Sequence, residues 1–398
     1  MLRKITYVAS VAAVGGLLLR RTGLWSSGAP LPVIDEDGHP LPGSLSEKTY
    51  VDINGVRQGM FLQSADVTNP VLLYLHGGMP EFFFTERYPT GLERVFTMAW
   101  WDRRGAGLSY NAGNPPQDIT LEQHLADTLA VTDYLRERFG QEKVYLMAHS
   151  GGTFFGLQAA ARTPERFHAY VGMAQMVRQL ESERLAYEYM VARFRERGDL
   201  RMLRQLEAAP VTVADGTPDA YLSVRDKAMH RLGVGTMHDM RSVITGVFWP
   251  SITSRQYAVG EKVRLWRSKF STGVMPRWAQ QILATDLSEQ VPKVDLPLYF
   301  LHGVHDYTCC LSLAHEYYER VQAPVKGFYT FDHSAHSPIF EEPEKVRRIL
   351  SEDVLTGTNK LADPALDKAG ILAAEFRHPY GRGNARTSRP RCLLRLWN

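Results

Sequence analysis

The stretch from Lys143 to Thr153, KVYLMAHSGGT, constrains this chain more than any other. Val144 to Ala148 is an unbroken apolar run of strand length, which suits a strand buried on both faces. His149, Ser150, Gly151 and Gly152 follow without a spacer, and Thr153 to Ala161 reads as a helix. A serine on so sharp a strand-to-helix turn has its hydroxyl lifted above the sheet edge. Such a turn needs small neighbours, because its backbone is strained and the helix packs close behind it. Ala148 and Gly152 meet that need. The pattern predicts a nucleophilic serine, Ser150, in a layered α/β domain.

The rest of the chain supplies the layers. Asn54-Gly55 between Tyr50–Ile53 and Val56–Leu62 is a two-residue hairpin signal. Val71–Leu75, Val95–Trp101, His168–Met173, Leu296–Leu301 and Gly327–Phe331 read as further strands. Leu121–Phe139, Ser312–Val321 and Glu341–Asp353 read as helices. That alternation predicts a mostly parallel, doubly covered sheet. Between residues 175 and 290 the strand rhythm stops and helical stretches follow one another, as in an inserted cap. The expected organisation is a leader at 1–22, a Gly/Pro/Ser-rich linker at 23–47, and a core at 48–174 and 291–355 interrupted by the cap. A basic tail, expected to be disordered, occupies 356–398.

Composition narrows the function classes. Six arginines and no acidic residue follow from Arg377 onward, which more than accounts for a net charge of +3. The body is therefore slightly acidic, and nucleic acid is not an expected partner. Three cysteines (Cys309, Cys310, Cys392) make no disulfide framework, and no Cys/His spacing suggests zinc. No phosphate-cradling loop stands out, so no cofactor is expected. Ile5 to Leu19 is weakly polar to apolar and bracketed by Arg3-Lys4 and Arg20-Arg21. As a helix it would run roughly 22 Å, short of a ~30 Å hydrocarbon core. Charge at the cleavage region argues against a removed signal peptide. Membrane association through an uncleaved anchor over residues 5–19 is expected, with secreted or cytoplasmic residence as the alternative.

A serine nucleophile needs a base to take its proton and an acid to hold that base. Asp306 lies on the loop His302-Gly303-Val304-His305-Asp306, directly after one late strand. His336 lies on Asp332-His333-Ser334-Ala335-His336-Ser337-Pro338, after the next. These are the expected acid and base. His305 and His333 compete with His336, and Asp332 competes with Asp306. Backbone N–H groups of Gly78, after the first buried strand, and of Gly151 are the expected oxyanion donors. His76 is expected to brace its own loop, and Asp102 with Arg104 to form a structural ion-pair network.

HGGMP at 76–80, WDRRGAGLS at 101–109, AHSGG at 148–152, HGVHD at 302–306 and SAHSPIFEEP at 334–343 together resemble the motif series of the α/β-hydrolase superfamily, in its proline iminopeptidase-like branch. The resemblance spans roughly Tyr50 to Leu355. It implies an α/β-hydrolase fold with a helical cap, Ser150, Asp306 and His336 as triad, and Gly78 with Gly151 as oxyanion donors. Met79-Pro80 stands where the branch has Pro-Gly, Ala148 replaces the first elbow glycine, and Gly151 stands where the branch often has Trp. The branch's acidic, amine-gripping cap element has no clear counterpart; Glu181, Glu183 and Glu188 are the candidates. Tyr187, Tyr189, Trp249, Tyr257, Trp266 and Trp278 are candidates for an aromatic pocket wall. The expected activity is metal-free serine hydrolysis of a small ester, amide or N-terminal peptide bond. The competing reading is a hydrolase-fold protein that binds a ligand or partner without chemistry.

Overall fold

The computed structural model describes residues 22–113, 118–270 and 277–364. The eight strands are β1 (Leu45–Ile53), β2 (Val56–Ser64), β3 (Val71–Leu75), β4 (Thr97–Trp101), β5 (Val144–His149), β6 (Phe167–Met173), β7 (Leu298–Gly303) and β8 (Lys326–Phe331). Asn54 and Gly55 both take positive φ, 48° and 72°, which is the two-residue turn that matches strand twist and closes the β1–β2 hairpin. The sheet order is β1-β2-β4-β3-β5-β6-β7-β8. β1 with β2 and β2 with β4 pair antiparallel, and every later pair is parallel. The C-terminal ends of β3, β5, β6, β7 and β8 therefore share one edge, where open α/β sheets carry their sites.

Helix α1 (Leu121–Phe139) leads into β5. Thr120 and Gln123 cap its start reciprocally, and Gly140 at φ 62° ends it. Helix α2 (Gly151–Arg162) leaves β5 directly. Between β6 and β7 come seven α-helices among the described residues: α3 (Gln179–Glu196), α4 (Leu200–Glu207), α5 (Asp219–Leu232), α6 (Trp249–Thr253), α7 (Val259–Phe270), α8 (Arg277–Ala284) and α9 (Leu287–Gln290), with one π-helical turn at Ile244–Phe248. Helix α10 (Leu311–Arg320) joins β7 to β8, and α11 (Pro338–Glu341) and α12 (Pro343–Ile349) follow β8.

The central strands are buried on both faces. Leu146 and Ala148 of β5 join one apolar cluster, while Tyr145 and Met147 join the other. A third cluster holds Ala186, Met190, Leu206 and Tyr221 of the helical insertion against Tyr307, Cys310 and Leu313. It ties the insertion to the loop that carries Asp306.

Two segments read as loose from composition are docked. In the expected linker, the Gly23 carbonyl accepts from Lys262 Nζ at 2.6 Å, and Leu31 N–H donates to Gln256 at 3.0 Å. The stretch is thus a strap across α6 and α7, and β1 begins at Leu45, inside it. The folded body also runs past Leu355. Asp363 Oδ2 accepts from Thr330 N at 2.6 Å and from Thr330 Oγ1 at 2.7 Å, which returns the chain to β8. Asp363→Ala leaves those donors unpaired and is expected to lower stability by about 1–2 kcal/mol, read from the urea midpoint.

The expected membrane anchor needs correction. Among the described residues no helix is long and apolar enough to cross a membrane, and residues 5–19 lie outside them. With a stretch too short for the hydrocarbon core and no span elsewhere in the described chain, membrane anchoring is not supported. The expected Asp102–Arg104 network is also different. Arg104 pairs with Asp127 (2.6 and 2.8 Å), which Asn54 and Gln58 also contact. Asp102 instead accepts from Leu108 N at 2.8 Å, and burial pushes its carboxyl up to about 8.

Candidate active site

Ser150 is the hinge between β5 and α2. Its backbone, φ 53° and ψ −126°, is one that non-glycine residues rarely adopt. Its N–H donates to the Met173 carbonyl at 3.0 Å, and its own carbonyl accepts from Thr153 N at 2.8 Å, so the turn is held from both sides. The departures at this turn have a steric account. Ala148 tolerates its methyl because Gly156, one turn into α2, is bare; a Cβ there would stand 2.9 Å from that methyl.

Glycine is demanded at Gly77 and, as expected of the turn, at Gly152. A Cβ on Gly77 would lie 2.8 Å from Ser150 Cβ, and one on Gly152 would press into the Leu75 and His76 carbonyl oxygens. At Gly151 the nearest atom to such a Cβ is Gly77 C at 3.9 Å, and at Gly78 it is Lys269 Nζ at 3.7 Å. The latter pair leaves open space beside the serine, with one cation from α7 at its margin.

Asp306 and His336 meet. Asp306 Oδ2 accepts from His336 Nδ1–H at 2.8 Å, while Oδ1 accepts from Thr308 N at 2.8 Å and Cys309 N at 3.1 Å. Burial opposes charge on Asp306, but His336, His302 and the backbone donors outweigh it and hold the carboxyl below its ordinary range. Asp306 is 1% exposed and His336 7%. The competitors lie elsewhere: Asp332 and His333 are exposed, and His305 stacks on His238 at 3.9 Å with its imidazole pushed down to about 4, first by burial.

The loops are braced as expected at His76, and by further residues for which no such role was expected. His76 Nδ1–H donates to the Gly77 carbonyl at 2.9 Å and its Nε2 accepts from Arg103 N at 3.1 Å. Burial, with Arg103 beside it, holds His76 far below its usual range, so it is neutral. Arg103 also donates to the Gly77 carbonyl at 2.7 Å. On the other side, Glu341 Oε2 accepts from Ala335 N at 3.0 Å and Ser337 N at 3.2 Å, flanking His336 on both sides. Behind the serine, His149 sits between Glu81 and the His336 carbonyl, 2.7 Å from each. The sequence signal for Glu81 is a lone acid opening the apolar run EFFF at 81–84.

The cap candidates are not brought together. Glu183 gives both oxygens to Arg225 (2.6 Å each) and one also to Tyr221, while Arg184 holds Glu181 and Glu188. Tyr257 packs on Phe61, Tyr187 on Tyr221 and Tyr189 on Tyr307. Trp266 stacks with Phe270, Trp249 is exposed, and the side chain of Trp278 lies outside the described residues. Tyr187 and Tyr189 pack into the third apolar cluster, while Tyr257 and Trp266 pack into the one that holds Tyr145 and Met147. Asp306, Cys309 and His336 could converge on a metal ion, but the first and last of these already bond each other.

A family model described as the alpha/beta hydrolase fold matches residues 70–306. A curated relative, the probable aminopeptidase YbaC of Bacillus subtilis (strain 168), is 29% identical over 321 residues, or 78% of this chain and 97% of the relative. A proline iminopeptidase-related protein from Thermus thermophilus superposes with a TM-score of 0.52 at 21% identity, over 78% of this chain and 99% of its own. The proline iminopeptidase of Mycobacterium smegmatis gives 0.55 at 14% identity, over 78% and 98%. At these identities the solved structures share a fold with this chain.

Proposed function

The chain belongs to the α/β-hydrolase family, on its proline iminopeptidase-like side, and from that premise we propose that it is a serine hydrolase acting through Ser150, His336 and Asp306. The observation that carries the reading is the buried 2.8 Å bond from His336 to Asp306, on the strand-end edge where the Ser150 turn also lies. His336 takes the Ser150 proton as Oγ attacks the substrate carbonyl, and Asp306 orients the imidazole and stabilises its charged form. The N–H groups of Gly78 and Gly151 receive the oxyanion. Collapse breaks the bond to the alcohol or amine, which leaves with the proton from His336 and gives an acyl-enzyme; water then deacylates it with His336 as base again. No metal or cofactor takes part in this scheme.

The substrate is a small ester, amide or N-terminal peptide bond. The aminopeptidase form draws support from the Bacillus relative, but Glu181, Glu183 and Glu188 are already bonded to arginine. Rates on p-nitrophenyl esters against prolyl arylamides separate the two forms.

The decisive experiment is incubation of the folded protein with a fluorophosphonate probe, followed by peptide mass analysis. One adduct is expected, on the peptide holding Ser150, and none after prior denaturation. Folded protein that stays unlabelled while its pocket admits the probe supports the non-catalytic binding protein instead.

A further inference from the structure

His149 has no part in the scheme above, although it is the residue immediately before the nucleophile. Its ring is 2% exposed and both of its nitrogens are bonded. Nε2 lies 2.7 Å from the His336 carbonyl oxygen, and Nδ1 lies 2.7 Å from Glu81 Oε1. The other Glu81 oxygen accepts from Tyr74 OH at 2.6 Å. A carbonyl oxygen has no proton to give, so Nε2 must carry one. Glu81 is buried, which opposes its charge. His149 and the hydrogen bonds from His149 and Tyr74 outweigh that and hold the carboxyl below its usual range. With Glu81 ionised its carboxylate only accepts, and Nδ1 then carries a proton as well. Burial works against charge on His149 too, yet Glu81 and the two hydrogen bonds raise it above the ordinary histidine range.

We propose that His149 is a positioning residue: a buried imidazolium, paired with Glu81, that fastens the main chain of His336 to the serine turn and to the loop carrying Gly78. The three segments that meet at the site come from distant parts of the sequence, and this relay is a bonded path through all of them. It starts at the oxyanion-side loop (Glu81), crosses the serine turn (His149) and ends on the base itself (His336). The His149 and His336 rings also lie close, tilted by 46° with centroids 4.7 Å apart. Other ionisable groups around the relay are Tyr74 and His76 at the end of β3, Arg103 after β4, and Asp306 after β7.

The inference rests on the proposed role of His336, so its test needs one readout independent of catalysis. Nitrogen-15 NMR of the histidine side chains supplies it. In the wild type both His149 nitrogens are expected to be protonated from pH 6 to pH 8, and Glu81→Gln is expected to return one to the unprotonated state. A neutral His149 in the wild type at pH 7 overturns the proposal, whatever the enzyme's activity. In kinetics, His149→Gln is expected to lower kcat/KM roughly 10- to 100-fold, mostly in kcat, because the base is held less well. An unchanged kcat/KM in folded His149→Gln overturns the positioning role. If His149→Gln does not fold, the NMR comparison with Glu81→Gln decides alone.

Discussion

Ser150→Ala is expected to lower kcat on the best ester or amide substrate by roughly six orders of magnitude, because the serine and its base act as one unit. Asp306→Asn is expected to lower it by about four, since an asparagine cannot hold the imidazole in the same tautomer or stabilise its charged form. The residual rate in both reflects binding and the oxyanion donors. Burst kinetics with a p-nitrophenyl ester check both variants on one assay. Loss of only tenfold in Ser150→Ala would place the nucleophile elsewhere. Backbone conformation adds a second readout. Ser150 holds φ 53°, a region that disfavours side chains, so the native turn carries strain that glycine would not. Ser150→Gly should therefore be as inactive as Ser150→Ala yet more stable than wild type by about 1 kcal/mol. An inactive but stabilised variant is the signature of strain kept for function; it would not follow from a serine that merely packs well.

The parts of this site that were legible in sequence are those set by chain-local geometry. Ser150 announces itself because a buried strand, a small-residue turn and a helix are consecutive. Asp306 and His336 are readable because successive parallel strands deliver their following loops to the same sheet edge. Pairings across the sheet were not legible. Nothing local says that Glu81 reaches His149, that Glu341 brackets His336, or that Asp127 rather than Asp102 faces Arg104, since each depends on strand order and side-chain direction. Composition misled in two places for one reason. Gly, Pro and Ser at 23–47 and the weak periodicity after Leu355 speak to an absence of regular elements, not to an absence of contacts. Lys262, Gln256 and Thr330 meet those segments through backbone and carboxylate groups, which hydrophobic periodicity does not record. Residue type gives the cap's aromatic content but not the cluster into which each ring packs, so the division of Tyr187 and Tyr189 from Tyr257 and Trp266 was not legible either.

The second large effect separates two adjacent glycines. Gly151 is an expected oxyanion donor, while Gly152 is expected to be small because the helix packs close behind the turn. The structure puts the steric demand on Gly152 and leaves Gly151 without it. A methyl on Gly151 meets nothing nearer than 3.9 Å, and its φ is not in the left-handed region, so Gly151→Ala is expected to cost no more than about 1 kcal/mol. A methyl on Gly152 would be driven into the carbonyl oxygens of Leu75 and His76, both backbone atoms that cannot rotate aside. Relief would require β3 and α2 to separate where β3 pairs with β5, in the most buried part of the sheet. Gly152→Ala should therefore destabilise the fold by about 3 kcal/mol or more. Urea unfolding of the two variants side by side tests the difference. If Gly151→Ala is the more damaging, the close packing of α2 against the end of β3 is wrong. If Gly152→Ala unfolds early while Gly151→Ala keeps its midpoint, any loss of activity in Gly151→Ala reports on the oxyanion side of the pocket itself. That comparison turns a packing measurement into a test of the Gly151 N–H as a donor, free of the folding defect that a neighbouring substitution would bring.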